Sequence, residues 1–324
     1  KKNLKNNVTK SIDFYNQELN RYNKSKKDIK PINFVDKDHT KITWERTQIQ
    51  NIEKNKPLQF KEKSIQECFY RPFTKLWGYT DEKFNSCVYQ MPKIFPNNKE
   101  KNLVIIAPGT GNRNEFSTYI SDKIPDLGFL SACYCFPLKI FSKIDEGLFN
   151  TENSYDAITD DVLKLFKTKL KLNSLKKEEI FYYIYGLFHS AEYRNKYKNN
   201  LNKEIPRIPI SKNFKNFYEI GKKLANIHLN IDDIEENKDV KVVYDINDEK
   251  NKNFFTVEKM IFKGKRNNLN KDTIIYNQYI KIENIPLSSY KYVINGKSAI
   301  EWVMERQRIV KNDVTKIINN ANDY

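Results

Sequence analysis

The hydrophobic pattern of the first 56 residues is that of helices separated by polar segments. Apolar side chains recur at helical spacing at Val8, Ile12, Tyr15 and Leu19, which predicts one amphipathic helix over most of the first 30 residues. The charged run at residues 24–30 is typical of a solvated segment. Residues 1–56 are therefore predicted to form a helical linker region.

From residue 57 to residue 150 the pattern changes to short β-rich pieces separated by turn-forming residues. Proline recurs through this stretch and argues against helices, because it lacks the N–H that a helix interior requires. We expect a mixed sheet whose long connections can reach a ligand. The predicted β-rich pieces are FYRPF, LWGYT, VYQMP, LVIIAPGTGN and CYCFPLKIF.

Residues 151–235 return to helical periodicity and are predicted to form a small helical subdomain. Ser174 and Glu178 resemble a helix-start signal, one residue off the spacing of a capping box. Two helices are expected, each with one apolar face. The first face contains Tyr155, Ile158, Val162, Leu165 and Phe166, and the second contains Ile180, Tyr183, Ile184, Leu187 and Phe188.

Residues 236–324 are predicted to be β-rich and to end in a helix. The strand-like pieces are VKVVYDI, NFFTVEKMIF and TIIYNQYIKI, and residues 298–307 have helical spacing with Ala299, Trp302 and Val303 facing inward. The whole pattern predicts an α+β fold. It consists of a mixed-sheet β-rich N-terminal part, a helical middle and a β-rich C-terminal part.

Composition supports a folded protein and suggests a polyanionic partner. The chain has 324 residues, of which 13% are aromatic, and its formal net charge is +16. The aromatic content favours a packed core over disorder, and no apolar run approaches the roughly 18 residues of a membrane span. A basic surface attracts nucleic acid. However, lysine here accompanies abundant Asn and Ile, a composition that an AT-rich genome also produces, so charge alone leaves nucleic-acid binding open. The chain begins without Met, and we expect a soluble fragment of a longer protein.

The metal-binding and catalytic motifs that we considered are incomplete. Cys68, Cys87, Cys133 and Cys135 lack zinc-ligand spacing and are predicted to be buried structural thiols in a reducing, cytosolic compartment. The three histidines are scattered, and we predict structural roles for those on helices. Residues 109–111 follow an apolar strand as a nucleotide-binding turn would, but the third glycine and a Gly-Lys-Ser/Thr motif are missing. Pro125-Asp126 resembles the start of a nuclease motif, without the acidic-x-Lys element that should follow.

Three groups of residues are candidates for DNA contact. Residues 259–271 hold five cations and no acid, as suits a strand and loop that follow a phosphate backbone. A solvated hairpin is the alternative there, as a solvated turn is for residues 112–114. Asparagine and arginine have the bidentate geometry that reads adenine and guanine edges. The candidates are Arg71, Lys75, Asn112, Arg113, Asn114, Lys263, Lys265, Arg266, Asn267 and Asn268.

Two dense stretches, residues 178–209 and 290–306, resemble the C-terminal specificity domain of the type ISP restriction-modification enzymes. The resemblance continues along the chain in the same order. Residues 132–134, Ala-Cys-Tyr, depart from the Gly and Gln that the family tends to show, which leaves the role of Tyr134 open. Further matching segments are IDFYN (12–16), YRPF (70–73), IPDL (124–127), CFPL (135–138), IHLN (227–230), TIIYN (273–277) and the chain end (319–324).

In these enzymes one polypeptide joins a nuclease, an ATP-driven DNA motor, an adenine methyltransferase and a target-recognition domain. The resemblance implies that residues 1–56 follow the methyltransferase and that the partners are double-stranded DNA and the other domains. It implies a bacterial cytoplasm, with S-adenosylmethionine, ATP and Mg²⁺ bound elsewhere in the parent polypeptide and no cofactor in this chain.

This chain is expected to recognise a DNA target without catalysing a reaction itself. It lacks the Asn/Asp-Pro-Pro-Tyr/Phe motif that holds a flipped adenine, and it lacks a Walker A motif. Two alternatives stay open at this point. One is an active adenine methyltransferase fragment, and the other is a docking scaffold between motor and methyltransferase that does not bind DNA.

Overall fold

A computed structural model describes residues 1–25, 28–97, 99–142, 154–265, 267–320 and 322. Helices and short strands combine in an α+β fold, as predicted from the sequence. The helices are α1 (Lys2–Lys24), α2 (Pro31–Phe34), α3 (Arg46–Glu53), α4 (Met91–Ile94), α5 (Asp160–Leu170), α6 (Lys177–His189), α7 (Ala191–Lys196), α8 (Lys198–Leu201), α9 (Phe214–Leu229) and α10 (Ala299–Arg306).

Most strands are short, and the structure groups them into several small sheets. The strands are β1 (Ile65–Arg71), β2 (Thr74–Tyr79), β3 (Val104–Ala107), β4 (Tyr119–Ser121), β5 (Ile124–Pro125), β6 (Tyr134–Pro137), β7 (Lys139–Phe141), β8 (Ser154–Asp156), β9 (Lys241–Val243), β10 (Ile261–Lys265), β11 (Asn268–Ile275), β12 (Lys281–Glu283), β13 (Val293–Ile294), β14 (Lys297–Ser298), β15 (Val310–Lys311) and β16 (Ile318–Asn319).

The chain divides into two compact units. The first contains Lys1–Cys68, Leu76–Glu100 and Ile309–Tyr324, and the second contains Phe69–Lys75 and Lys101–Arg308. The subdomain boundaries expected from the sequence, at residues 57–150, 151–235 and 236–324, stay a prediction.

In the first unit, the core is built on helix α1. Val8, Ile12, Tyr15 and Leu19 are buried in it, which confirms the predicted apolar face. The Tyr15 hydroxyl donates a hydrogen bond to the carbonyl oxygen of Lys56 at 2.8 Å. This bond satisfies the one polar atom of a fully buried ring, so the tyrosine can pack as a hydrophobic residue.

The core of the second unit is centred on helix α6, which packs against α9. Of the apolar face predicted for α6, Ile184 is half-buried and the other four residues are buried. Phe181, Tyr185 and Gly186 are buried as well, so that this helix is covered on most sides. Glycine makes the close contact of the two helices possible. A Cβ atom at Gly186 would overlap the carbonyl oxygen of Phe217, and one at Gly221 would overlap the carbonyl oxygen of Tyr182.

The predicted apolar face of α5 is largely wrong. Tyr155 lies in strand β8 rather than in the helix, and the Val162 and Leu165 side chains are exposed. Of the predicted face, Phe166 is buried and Ile158 is half-buried against the same core. Leu163, which was not predicted, packs there as well. The helix begins at Asp160 behind an N-cap Thr159, so the apolar spacing that we counted from residue 155 crossed a strand and a turn.

Three further local predictions were wrong. The piece VYQMP is a turn followed by helix α4, where Pro92 lies in the first turn, a position that needs no backbone donor. Most of NFFTVEKMIF is irregular, and strand β10 begins only at Ile261. Helix α6 begins after Lys176, whose backbone N–H donates to the Glu179 carboxylate at 2.7 Å, and Ser174 and Glu178 do not cap it.

The C-terminal part of the second unit contains an antiparallel sheet of strand order β10-β11-β12-β9, a β13–β14 hairpin and helix α10. Ser298 caps α10 and Glu301 reaches back to the Ser298 backbone N–H, which completes a capping box. Trp302 is buried as predicted, and Ala299 and Val303 are half-buried.

Within the described ranges, no helix is both long and apolar enough to cross a membrane. The four cysteines, all among the described residues, form no disulfide. The prediction of buried thiols is wrong for Cys87, which is exposed, and the other three are half-buried.

Candidate nucleic-acid interface

The tip of the β10–β11 hairpin is a short two-stranded ribbon, which we define as residues 263–265 and 268–270. Three cross-strand pairs form it: Lys263 with Asn270, Gly264 with Leu269, and Lys265 with Asn268. Directly opposed residues share a face of an antiparallel pair, and alternate residues of one strand do as well. One face of the ribbon therefore has two lysines and two asparagines, and the other has Gly264 and Leu269.

The polar face of the ribbon faces solvent. Lys263, Lys265, Asn268 and Asn270 are all exposed, and so is the neighbouring Asn267. No acidic residue belongs to the ribbon, so nothing within it neutralises the two ammonium groups. This surface is suited to a polyanion. The DNA contacts expected from the sequence at Lys263, Lys265, Asn267 and Asn268 stay predictions. The predicted contact Arg266 lies outside the described residues.

A bulge separates the ribbon from the rest of the sheet. The register changes from Phe262 paired with Ile274 to Lys263 paired with Asn270, so that residues 271–273 have no partner on β10. Beyond this point the sheet is partly buried, with Thr273 and Ile274 in the protein interior. Bulges bend a strand and redirect its side chains, and this one separates the exposed tip from the anchored sheet.

The residues of the bulge are held by the segment that follows the sheet. The Tyr290 hydroxyl donates to the Lys271 carbonyl oxygen at 2.7 Å, and the Lys271 ammonium group donates to the Glu301 carboxylate at 2.9 Å. The same ammonium group lies 5.4 Å from the ring centre of Phe262 and 5.1 Å from that of Tyr290. Lys271 is therefore a structural residue, and the stretch 290–306 supports the base of the ribbon.

Gly264 adopts a backbone conformation that favours glycine. Its φ is +112°, and a Cβ atom there would collide with the carbonyl oxygen of Asn268. The bare position lets the two strands of the ribbon approach each other closely. We expect any other residue at Gly264 to distort the ribbon.

The predicted contacts Asn112, Arg113 and Asn114 lie in the loop between β3 and β4, and their surroundings differ. Asn112 is buried, and its side-chain oxygen accepts from the Asn114 backbone N–H at 3.2 Å. The Asn114 amide donates to Asn295 Oδ1 at 2.8 Å, at the turn of the β13–β14 hairpin. Arg113 is exposed. Arg113 is therefore presented to solvent and, unlike Asn112 and Asn114, takes no part in these two hydrogen bonds.

Arg71, another predicted DNA contact, is engaged in an ion pair. Its guanidinium group lies 2.5 Å from the Asp126 carboxylate and 4.1 Å from the ring centre of Tyr70. Asp126 also accepts from the Gly128 backbone N–H at 2.8 Å. The pair gives Asp126 a structural partner, in agreement with the sequence argument against a nuclease motif at Pro125-Asp126.

Lys75 is likewise paired, with the carboxylate of Asp232. Its ammonium group also lies 5.7 Å from the ring centre of Phe69. A phosphate group at Arg71 or Lys75 would have to compete with a carboxylate, whereas the ribbon lysines have no such partner within the ribbon. The roles of Arg71 and Lys75 in DNA contact stay predictions.

A buried cluster of histidine and tyrosine side chains could not be assembled from the sequence. His228 Nδ1 lies 2.5 Å from the Tyr185 hydroxyl, and its Nε2 lies 2.8 Å from the Tyr292 hydroxyl. The ring of Tyr119 stacks on His228 with centres 5.0 Å apart. His189 lies next to it at 5.6 Å, with its Nδ1 3.0 Å from the Tyr185 carbonyl oxygen. The cluster joins β4, α6, α9 and the segment before β13.

Burial determines the charge state of this cluster. It lowers the pKa of His228 to about 4 and that of His189 to about 3, so both rings are neutral at pH 7. It also raises the pKa of Tyr185 and Tyr292, which keeps both phenols protonated. A neutral imidazole has one donor and one acceptor. One tyrosine therefore accepts from His228 and the other donates to it.

Two sites considered in the sequence, a metal site and a nucleotide-binding turn, can be compared with the structure. In the part of the chain that it describes, no three His, Cys, Asp or Glu side chains converge as a metal site would require. Other backbone segments pack directly against the loop at residues 109–111. A Cβ atom at Gly109 would overlap the Ala132 carbonyl oxygen, and the Gly111 N–H donates to the Asn202 carbonyl oxygen at 2.8 Å.

Comparison with known families identifies the chain. The sequence profile of the Type ISP C-terminal specificity domain matches residues 1–324. The chain belongs to this family. No curated protein matches the chain.

Solved structures of longer proteins contain the same fold. The chain is similar to the ATP-dependent Type ISP restriction-modification enzyme LlaBIII bound to DNA, with 32% identity and a TM-score of 0.82 over 98% of this chain and 20% of that one. A nuclease-deletion mutant of the Type ISP enzyme LlaGI, in complex with a DNA substrate mimic, gives 32% identity and a TM-score of 0.81, covering 98% of this chain and 23% of that one.

A DrdV–DNA complex, solved by cryoEM, is similar at 26% identity with a TM-score of 0.78, over 95% of this chain and 29% of that one. The Type ISP specificity domain described here thus spans between about a fifth and a third of the length of these three proteins.

Proposed function

We propose that this specificity domain recognises a DNA target sequence and positions the duplex for a type ISP restriction-modification enzyme. Adenine-N6 methylation and ATP-dependent restriction would be carried out by other domains of the same polypeptide. The observation that carries the proposal is the family match over the whole chain, together with structural relatives that were solved in complex with DNA.

The charge of the chain supports the proposal. The net charge is +16, and Lys263 and Lys265 extend into solvent from an anchored sheet. Lysine side chains that neutralise phosphates release condensed counterions, which drives association without regard to sequence. Exposed Asn and Arg side chains then supply hydrogen bonds to base edges. The Type ISP specificity domain would in this way hold the duplex while a methyltransferase domain extrudes the target adenine.

The chain is proposed to lack catalytic activity of its own. The Asn/Asp-Pro-Pro-Tyr/Phe motif that holds a flipped adenine and the Walker A motif for ATP are missing from the sequence. S-adenosylmethionine, ATP and Mg²⁺ would bind to the other domains of the parent polypeptide. Incubating the chain with duplex DNA and tritiated S-adenosylmethionine tests this point, and tritium transfer to the DNA would show an active methyltransferase fragment instead.

Charge reversal tests DNA binding directly. We expect the double variant Lys263→Glu and Lys265→Glu to bind a fluorescent duplex at least tenfold more weakly than the unchanged chain in an anisotropy titration, because two attractive contacts become repulsive. The matched control is Lys222→Glu with Lys223→Glu, two exposed lysines of α9 with the same change in net charge. An equal loss in both double variants would mean that only total charge matters.

The same variants separate recognition from docking. If the chain were a scaffold between a motor and a methyltransferase, the ribbon variant would keep its DNA affinity and lose binding to those domains when they are supplied separately. Under our proposal the duplex affinity falls and the protein–protein affinity is unchanged.

A further inference from the structure

We propose that the β10–β11 ribbon enters the major groove of the target duplex and that Asn268 and Asn270 read adenine there, with Lys263 and Lys265 on the flanking phosphates. This inference rests on the proposed function and deepens it, because it assigns the base-reading atoms. Asn270 is not among the DNA contacts predicted from the sequence.

The dimensions of the ribbon suit the major groove. Two paired strands lie about 4.8 Å apart, and the major groove of B-DNA is about 12 Å wide, enough to admit a two-stranded β-ribbon with its side chains. The minor groove is about 6 Å wide and presents a degenerate pattern. The ribbon consists of three cross-strand pairs and begins at the bulge. Its tip can therefore enter a groove while its base stays on the protein.

The arrangement of side chains on the polar face separates two tasks. Each lysine is directly opposite an asparagine, Lys263 opposite Asn270 and Lys265 opposite Asn268. All four therefore project in one direction from two adjacent strands. A lysine ammonium group on a long flexible stem reaches phosphates as a point charge, whereas the short asparagine amide must approach a base edge closely. One strand would thus hold the backbone and the other read the bases.

Asparagine has the complementary pair of atoms for adenine. Its amide nitrogen donates to N7 while its oxygen accepts from the N6 amino group, a pairing that is available only in the major groove. In this structure Asn270 Oδ1 accepts from the Asp272 backbone N–H at 3.1 Å. That bond orients the side chain and leaves the second lone pair of the oxygen, and both amide protons, for a base. Asn270 is therefore oriented before DNA arrives.

The opposite face of the ribbon lacks such groups. It has Gly264, which has no side chain, and Leu269, which is 46% exposed. Leu269 provides the matched control, because it lies on the same strand between the two asparagines and is exposed as they are.

Selection from a library of randomised duplexes tests the inference. The chain is bound to the library, bound duplexes are sequenced, and the selected consensus is compared for the unchanged chain and for Asn268→Ala, Asn270→Ala and Leu269→Ala. We expect a consensus with at least one adenine whose enrichment falls roughly tenfold in an asparagine variant and is retained in Leu269→Ala.

Replacing that adenine by 7-deaza-adenine removes the N7 acceptor and localises the contact. We expect the replacement to weaken binding of the unchanged chain roughly tenfold and to have little further effect on the corresponding asparagine variant, because the two changes remove the same hydrogen bond. The variants Lys263→Gln and Lys265→Gln should keep the consensus and each reduce the dependence of log K on log salt by about 1.

Three results would overturn the inference. They are a consensus unaffected by both asparagine variants, a consensus without adenine, and a uniform loss of affinity for all sequences when an asparagine is replaced. In each of these cases the domain still binds duplex DNA, and the proposed function stands. Absence of any duplex binding by the unchanged chain would instead contradict the proposed function itself.

Discussion

His228 joins segments that lie far apart in the sequence, because both of its ring nitrogens bond to tyrosines of other segments. Tyr185 is 43 residues away and Tyr292 is 64 residues away. The ring is neutral, since burial lowers its pKa to about 4. Protonation would place a buried charge between two phenols and would remove the acceptor that one of them needs.

The first prediction concerns the stability of the fold in acid. The folded-state pKa values of His228 and His189 lie below the ordinary value of 6.5. Between these values the unfolded chain binds more protons, so the free energy of unfolding falls as pH falls. For His228 alone we expect a loss on the order of 2 kcal/mol from pH 7 to pH 4.5.

Urea unfolding at several pH values measures this effect. The variant His228→Gln removes the titrating group, and we expect its free energy of unfolding to depend less on pH than that of the unchanged chain. His39, which is exposed, provides the control variant His39→Gln. An unchanged pH dependence in His228→Gln would show that this ring is not responsible for the acid sensitivity.

Single residues also show the limit of sequence reasoning. Both helix histidines were predicted to be structural, and His228 confirms it with two ring hydrogen bonds, whereas the buried Nε2 of His189 has no partner. The tyrosines around them could not be predicted, because no periodicity relates residues on different elements. The ion pair of Arg71 with Asp126, 55 residues apart, could not be predicted from the sequence for the same reason.

At the scale of elements, the contact between α6 and α9 depends on two glycines. Alanine normally favours a helix over glycine by about 1 kcal/mol. At Gly221, however, a Cβ atom would overlap the Tyr182 carbonyl oxygen, and overpacking of this kind costs about 1 to 3 kcal/mol.

We therefore predict that Gly221→Ala destabilises the fold despite the gain in helix propensity, by up to about 2 kcal/mol net. Asn216→Ala, at an exposed position of the same helix, should be neutral or slightly stabilising. Thermal and urea unfolding of both variants give the comparison. A more stable Gly221→Ala variant would contradict the close helix contact described here.

The ribbon is the second element with a specific prediction. Tyr290→Phe removes the hydrogen bond to the Lys271 carbonyl oxygen and should cost about 1 kcal/mol. Because this bond holds the bulge, we expect faster amide hydrogen exchange in β11 and weaker DNA binding. Tyr276→Phe removes a similar bond, to the Phe255 carbonyl oxygen at 2.9 Å, and is the control. Equal effects of both variants on DNA binding would argue against a specific support of the ribbon by Tyr290.

Elements with regular periodicity were predictable and short or irregular ones were not. The apolar faces of α1 and α6 were correct because each repeats over several turns. Strand β8 and helix α4 were missed because one turn of helix and a three-residue strand have no measurable period. The bulge that defines the ribbon leaves no pattern in residues 271–273, so the ribbon face, and Asn270 in it, emerged only from the strand register.

At the scale of the whole molecule, the Type ISP specificity domain keeps the proposed contacts of the ribbon separate from its framework. Two of the stretches that resemble the family, residues 178–209 and 290–306, supply helix α6 of the second unit's core, Tyr185, His189 and Tyr292 of the histidine–tyrosine cluster, and the support under the ribbon. The ribbon itself is exposed and carries side chains that the fold does not need. Such a division lets a family keep one framework while the side chains that meet DNA vary.

Duplex binding as a function of salt tests the central claim most directly. The unchanged chain is titrated into a fluorescent duplex of about 30 base pairs at several salt concentrations between 50 and 200 mM, roughly the range over which phosphate contacts lose affinity. We predict binding whose log K falls linearly with log salt, with a slope of about −2 or steeper if at least the two ribbon lysines meet phosphates. No binding, or a slope near zero, would contradict DNA recognition by this chain.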